Sequence, residues 1–137
     1  MKKLLIFAVI VLVAQVGYTQ VAGVANALEP KASLAVADVD NQNFDFGKIK
    51  QGVPVTHEFS FVNKGIVPMI ITDVRPSCGC TTPSWTKDPI PPGGQGFVKA
   101  TYNSASMGAF DKTVTVTANV ETGIVMLRIR GEVVQEL

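Results

Sequence analysis

The side chains best equipped for chemistry are the two cysteines of the chain, Cys78 and Cys80, and its single histidine, His57. The cysteines flank one glycine inside the string Pro76-Ser77-Cys78-Gly79-Cys80-Thr81-Thr82-Pro83-Ser84-Trp85. Three chemistries are open to such a pair. In an oxidising compartment it closes a Cys78–Cys80 disulfide that pins a tight loop, with little entropic benefit because so short a loop is closed. As two thiolates it offers a soft ion such as Cu(I) two metal ligands, and His57 or a methionine would complete the set. As a small exposed ring it exchanges with other thiols. A structural zinc centre normally takes four ligands, and the chain supplies only Cys78, Cys80 and His57.

Other reaction classes find no footing. A Ser-His-Asp triad would have to use His57, and no Gly-x-Ser-x-Gly elbow, His-Glu-x-x-His helix, Walker loop or Gly-x-Gly-x-x-Gly fingerprint occurs. Gly93-Gly94-Gln95-Gly96 precedes a strand pattern, which makes it a turn and not a phosphate cradle. A calcium loop starting at Asp38 fails at its sixth position, Asn43, and its twelfth, Ile49, and reads as a solvated turn over residues 38–42. The chain therefore reads as non-enzymatic, with no catalytic residues and no cofactor beyond a copper alternative at Cys78 and Cys80.

The elements that must carry these residues follow from length and pattern. At 137 residues, with 47% hydrophobic and 17% charged content, the chain has room for one ordinary domain and is too apolar for disorder. A formal charge of +1 lacks the basic surplus of a nucleic-acid binder. Lys2 and Lys3 precede an unbroken apolar run over residues 4–14. That run is too short to span a bilayer, which takes about 20 residues, and fits the core of a signal peptide. Ala25-Asn26-Ala27 offers cleavage after Ala27, and Thr19 before Gln20 is a competing site. Residues 1–27 are thus expected to be a signal peptide, and the mature protein to be exported, periplasmic or secreted, without a stable membrane anchor.

Beyond residue 27 the dominant period is two, that of half-buried strands. Phe44 and Phe46 share a face, as do Val55, His57, Phe59 and Phe61. Val98, Ala100 and Tyr102 form another set, then Val114, Val116 and Ala118, then Val125, Leu127, Ile129 and Val133. Residues 33–39 and 69–74 supply two further short runs. Gly and Pro clusters at Gln51-Gly52, Asn63-Lys64-Gly65, Pro91-Pro92-Gly93-Gly94, Met107-Gly108 and Glu121-Thr122-Gly123 mark the reversals. About seven short strands without helices make an all-β, immunoglobulin-like β-sandwich over residues 44–137, with residues 28–43 as an arm and first strand. An antibody-type disulfide is excluded, since Cys78 and Cys80 are neighbours and Trp85 follows both. The parity of His57 puts it on the core face, where a neutral imidazole is held by a single backbone hydrogen bond.

The strings Phe44-Asp45-Phe46-Gly47-Lys48-Ile49, His57-Glu58-Phe59-Ser60-Phe61-Val62-Asn63-Lys64-Gly65, Ser77-Cys78-Gly79-Cys80-Thr81, Pro89-Ile90-Pro91-Pro92-Gly93 and Gly131-Glu132-Val133 resemble one bacterial family. That family is the domain of unknown function 1573, and the resemblance runs over residues 44–134. It implies an immunoglobulin-like sandwich akin to sperm-protein-like and flagellar-associated adhesion modules, and it implies export, with no established activity. Many relatives resemble lipoproteins, but no cysteine stands near the apolar run of this chain. The expected function is a module that binds protein partners or builds the cell envelope, with thiol or copper chemistry at Cys78 and Cys80 as the alternative.

Overall fold

The computed structural model describes residues 34–137; the expected signal peptide, both cleavage sites and residues 28–33 of the arm lie outside the described residues. Alternating apolar side chains become the inner faces of two packed sheets. The strands are β1 (Ala37–Val39), β2 (Asn43–Lys50), β3 (Val55–Asn63), β4 (Ile71–Pro76), β5 (Thr81–Trp85), β6 (Gln95–Tyr102), β7 (Gly108–Ala118) and β8 (Ile124–Val134). One sheet has the order β1-β3-β6-β5 and the other β2-β8-β7-β4. Of the inward sets predicted from parity, Phe59, Val98, Val114, Leu127 and Ile129 are fully buried between them, and Phe44, Phe46, Val55 and Val125 are half-buried against this core. Each fully buried side chain contributes roughly 1.5–3 kcal/mol on leaving water.

The start of the chain joins both sheets. β1 pairs antiparallel with β3, Ala37 opposite Asn63 and Val39 opposite Phe61. Within residues 40–42 the chain then crosses to the other layer, where β2 runs parallel to β8 from Asn43 opposite Arg128 to Lys50 opposite Val134. An Asx turn makes the corner, with the Asn43 N–H donating to Asn41 Oδ1 at 2.9 Å. Midway along β2 a bulge falls between Asp45 and Lys48. Gly47 takes a φ of +66° there, a conformation glycine adopts without steric penalty. A Cβ on Gly131 of β8 would come within 2.9 Å of the Gly47 carbonyl and 2.8 Å of the Phe110 ring, so the close approach requires glycine.

Four details differ from the sequence reading. There are eight strands, because residues 81–85 form β5 where the sequence suggested only a loop. Pro83 hid it, yet β5 is an edge strand, the one sheet position that tolerates proline. β1 begins at Ala37, with Ala35 in an isolated bridge to Val120, and β4 begins at Ile71, with Met69 bridged to Ile90. Asp38 and Val39 belong to β1, so the solvated turn starts after them.

Candidate functional site

The Cys78–Cys80 loop carries the chain from β4 in one sheet to β5 in the other, and the two sulfurs are joined as a disulfide. Backbone bonds fasten the loop on both flanks. Ser77 N–H donates to the Thr113 carbonyl at 2.8 Å, and the Thr113 N–H donates to Ser77 Oγ at 3.1 Å. At the other flank the Asn103 N–H donates to the Cys80 carbonyl at 3.0 Å. Thr81, itself buried, places Oγ1 3.9 Å from Cys78 Sγ, where its hydroxyl is the donor because a disulfide sulfur carries no hydrogen. Both cysteines are half-buried, Cys80 packs against the core, and Gly79 between them is exposed.

His57 lies elsewhere. It stands level with Ala100 of β6 and Pro83 of β5, two strands across from β5 and three residues along from Cys80. Ladder spacings put the two roughly 14 Å apart, far beyond the length of any metal–ligand bond. Among the described residues no three His, Cys, Asp or Glu side chains gather into a metal-holding group. Joined as a disulfide, the sulfurs present no thiolate, so Cu(I) chemistry would belong to the reduced pair alone. The His57 ring is held by aromatic packing in place of the expected backbone hydrogen bond. It stacks on Phe44 of the opposite sheet at 3.6 Å and 9°, and meets Phe59 edge-on at 4.5 Å. Burial between these rings lowers its pKa below 6.5, against a smaller opposite pull from Glu58. On β5, Trp85 has a buried Nε1 with no hydrogen-bond partner, and the Lys87 ammonium lies 2.9 Å from its ring centroid.

The crossing of β1 into β2 has a consequence at the sheet edges. β1 covers β3 only at residues 61–63, and β2 covers β8 only from Arg128 onward. Residues 55–60 of β3 and 124–127 of β8 are therefore left without a strand on one side, among the described residues. Along the first stretch the Phe44 ring stacks on His57, and Glu58 brings a charge paired with Lys99. The second opens on a groove of about 280 Å³ between Ala35, Val36 and Ala37 on one wall and Ile124, Val125 and Met126 on the other. Arg128 N–H donates to the Gln42 carbonyl, so alternate residues of β8 turn their backbone toward β2's side. The N–H and C=O of Met126 thus face the groove, as does the N–H of Ile124, whose carbonyl accepts the Thr122 hydroxyl at 2.6 Å.

Gln42, Glu121 and Thr122 also line this groove, beside exposed apolar side chains. Val36, Ile124 and Met126 are 51%, 43% and 54% exposed. Beneath them Ala37 and Val125 also line a narrow interior void of about 10 Å³ between the sheets, bounded only by apolar side chains. The other edges are guarded. β5 is interrupted by Pro83, and β4 by a bulge between Ile71 and Asp73 and by Pro76. β2 carries its own bulge and Lys48, and β7 beyond the end of β4 carries Asp111 and Lys112. Sequence reading missed this site. The available signal was Ile124 and Met126 on the outward parity of a strand whose next outward residues are Arg128 and Arg130.

Comparison with known proteins places the domain. The family model described as "Protein of unknown function (DUF1573)" matches residues 37–133. No curated protein matches. Among solved structures, a protein of unknown function from Porphyromonas gingivalis W83 is similar, with a TM-score of 0.65 at 15% identity. That match covers 74% of this chain and 48% of the other, so this chain spans about half the length of that protein. A PapD-like domain of human CEP192 aligns at TM-score 0.60 and 10% identity, over 77% of this chain and 89% of that one. The secreted serine protease VesC from Vibrio cholerae aligns at 0.53 and 14%, over 77% of this chain but only 24% of that one. At these identities the likeness concerns the fold, an immunoglobulin-like, PapD-like sandwich.

Proposed function

The chain belongs to the DUF1573 family of proteins of unknown function, and from that premise we propose that it is an exported, non-enzymatic module that binds a partner protein by strand addition. The partner contributes a short extended segment, uncharged at its centre and apolar on both faces. That segment lies beside residues 124–127 of β8, in line with β2. The observation carrying this reading is an uncapped edge among the described residues: backbone groups of Met126 and Ile124 face a groove walled in part by Val36, Ile124 and Met126, while the edges of β2, β4, β5 and β7 carry prolines, bulges or charges. Main-chain hydrogen bonds to the edge would supply affinity, and alternate side chains of the added strand would supply specificity. Outward ones would rest on Ile124 and Met126, and inward ones would reach toward Ala37 and Val125.

The test uses a synthetic extended peptide of about eight residues, rich in Val and Thr and flanked by lysines for solubility. The expected result is a perturbation of the Ile124 and Met126 amide resonances. Binding should be lost in the Ile124→Lys/Met126→Lys double variant and when alternate peptide nitrogens are methylated. Perturbation centred on residues 55–60 of β3, or none anywhere, would overturn the assignment. So would protection of the Met126 amide from solvent exchange before any peptide is added, because the chain's own N-terminal residues would then fill the edge.

A further inference from the structure

Beyond partner binding, we propose that Cys78–Cys80 is an exchangeable disulfide, a stoichiometric two-electron acceptor for protein or peptide dithiols, with Thr81 positioning the leaving thiolate. Four observations converge. The cysteines are two residues apart, so the bond closes almost no chain and constrains the unfolded state least. The loop does not depend on it, because Ser77 is tied to Thr113 and Cys80 to Asn103 by backbone hydrogen bonds. Both cysteines are half-buried around an exposed glycine, which leaves the ring partly open to an incoming thiolate. Finally, the Thr81 hydroxyl lies 3.9 Å from Cys78 Sγ. A hydroxyl donating to a sulfur favours its thiolate form, and the sulfur with the lower thiol pKa leaves faster.

The asymmetry fixes the direction of attack. A substrate thiolate attacks Cys80 Sγ, the Cys78–Cys80 bond breaks, and its electron pair departs on Cys78 as a thiolate held by Thr81. The product is a mixed disulfide between substrate and Cys80. A second thiolate of the same substrate then attacks its own sulfur in that mixed disulfide and releases the Cys80 thiolate. The substrate leaves oxidised by two electrons, and Cys78 and Cys80 take up the two protons that the substrate thiols lost. Reoxidation is the same exchange run backward against a more oxidising disulfide.

The full chain, titrated in mixtures of reduced and oxidised glutathione, acid-quenched and weighed intact, tests this directly. The pair should pass from oxidised to reduced within the accessible range of mixtures, with an unchanged far-ultraviolet spectrum and a melting temperature lower by less than about 10 °C. Peptide mapping of the quenched intermediate should find glutathione on Cys80. Thr81→Val should slow opening by about fivefold or more, and Thr81→Ser should restore it, which a purely structural threonine would not do. A pair that stays oxidised under excess reduced glutathione, or a domain that unfolds on reduction, would overturn the proposal. Glutathione found on Cys78, or an opening rate indifferent to Thr81→Val, would overturn the role given to Thr81. Replacing both cysteines by Ser should leave peptide binding at β8 intact, which keeps the two proposals separable.

Discussion

Replacing Asn63 by Ala should be among the most damaging single changes in the domain, because its buried side chain holds distant segments together. Its side chain is completely buried and uses its full capacity. Oδ1 accepts from Val36 N–H at 3.3 Å and Gly65 N–H at 3.0 Å. Nδ2 donates to the Val67 and Ile90 carbonyls at 2.8 and 3.0 Å. One amide therefore ties the segment just before β1, the turn after β3 and the segment before β6. Each of the four bonds is worth a net ~1 kcal/mol, and the Ile90 carbonyl keeps the Met69 N–H at 2.8 Å when the amide is removed. The sum is about 4 kcal/mol, a large part of the 5–15 kcal/mol that typically holds a domain together. At about 4–8 °C per kcal/mol for a domain of this size, the melting temperature should fall by roughly 15 °C or more. Differential scanning calorimetry with a parallel urea titration measures it. The comparison is Asn119→Ala, which removes two exposed bonds, to Ile70 and Pro68, and should cost no more than about 2 kcal/mol. A fall of less than about 4 °C for Asn63→Ala, or equal losses at the two positions, would refute the reasoning.

His57 provides a pH-dependent prediction. Burial lowers its folded pKa below the unfolded 6.5, so the folded state binds this proton less readily than the unfolded state. Its contribution is whole above pH 6.5 and is lost as pH falls from 6.5 through the folded value. Ring-proton resonances should titrate with a midpoint below 6.5, and His57→Phe should flatten that part of the stability curve; a midpoint at or above 6.5 would contradict the packing account. At the bulge, Gly131→Ala should destabilise by about 1–3 kcal/mol, because the new Cβ meets Phe110 and the Gly47 carbonyl. Gly47→Ala meets nothing within 4 Å and should lose only the ~1–2 kcal/mol of a left-handed non-glycine residue. Chemical denaturation of both variants checks the order.

Period-two patterning determined the layers by itself. Phe59, Val98, Val114 and Leu127 had to point one way and their neighbours the other, whatever the topology. Glycine identity likewise marked real reversals: Gly52, Gly93 and Gly123 all adopt positive φ. The Cys78–Gly79–Cys80 loop was visible because residue type and spacing alone confine its chemistry. Pairing partners were not legible. That β2, near the start, lies parallel to β8, at the end, depends on contacts between segments some 80 residues apart, and no local pattern encodes them. Asn63 read as a turn residue because its type suits turns; only the arrival of residues 36 and 90 from distant parts of the chain made it a buried hub. The open edge of β8 is likewise a property of where another strand stops. Side-chain direction is a local consequence of backbone geometry, whereas a vacancy beside a strand exists only once its neighbours have been placed.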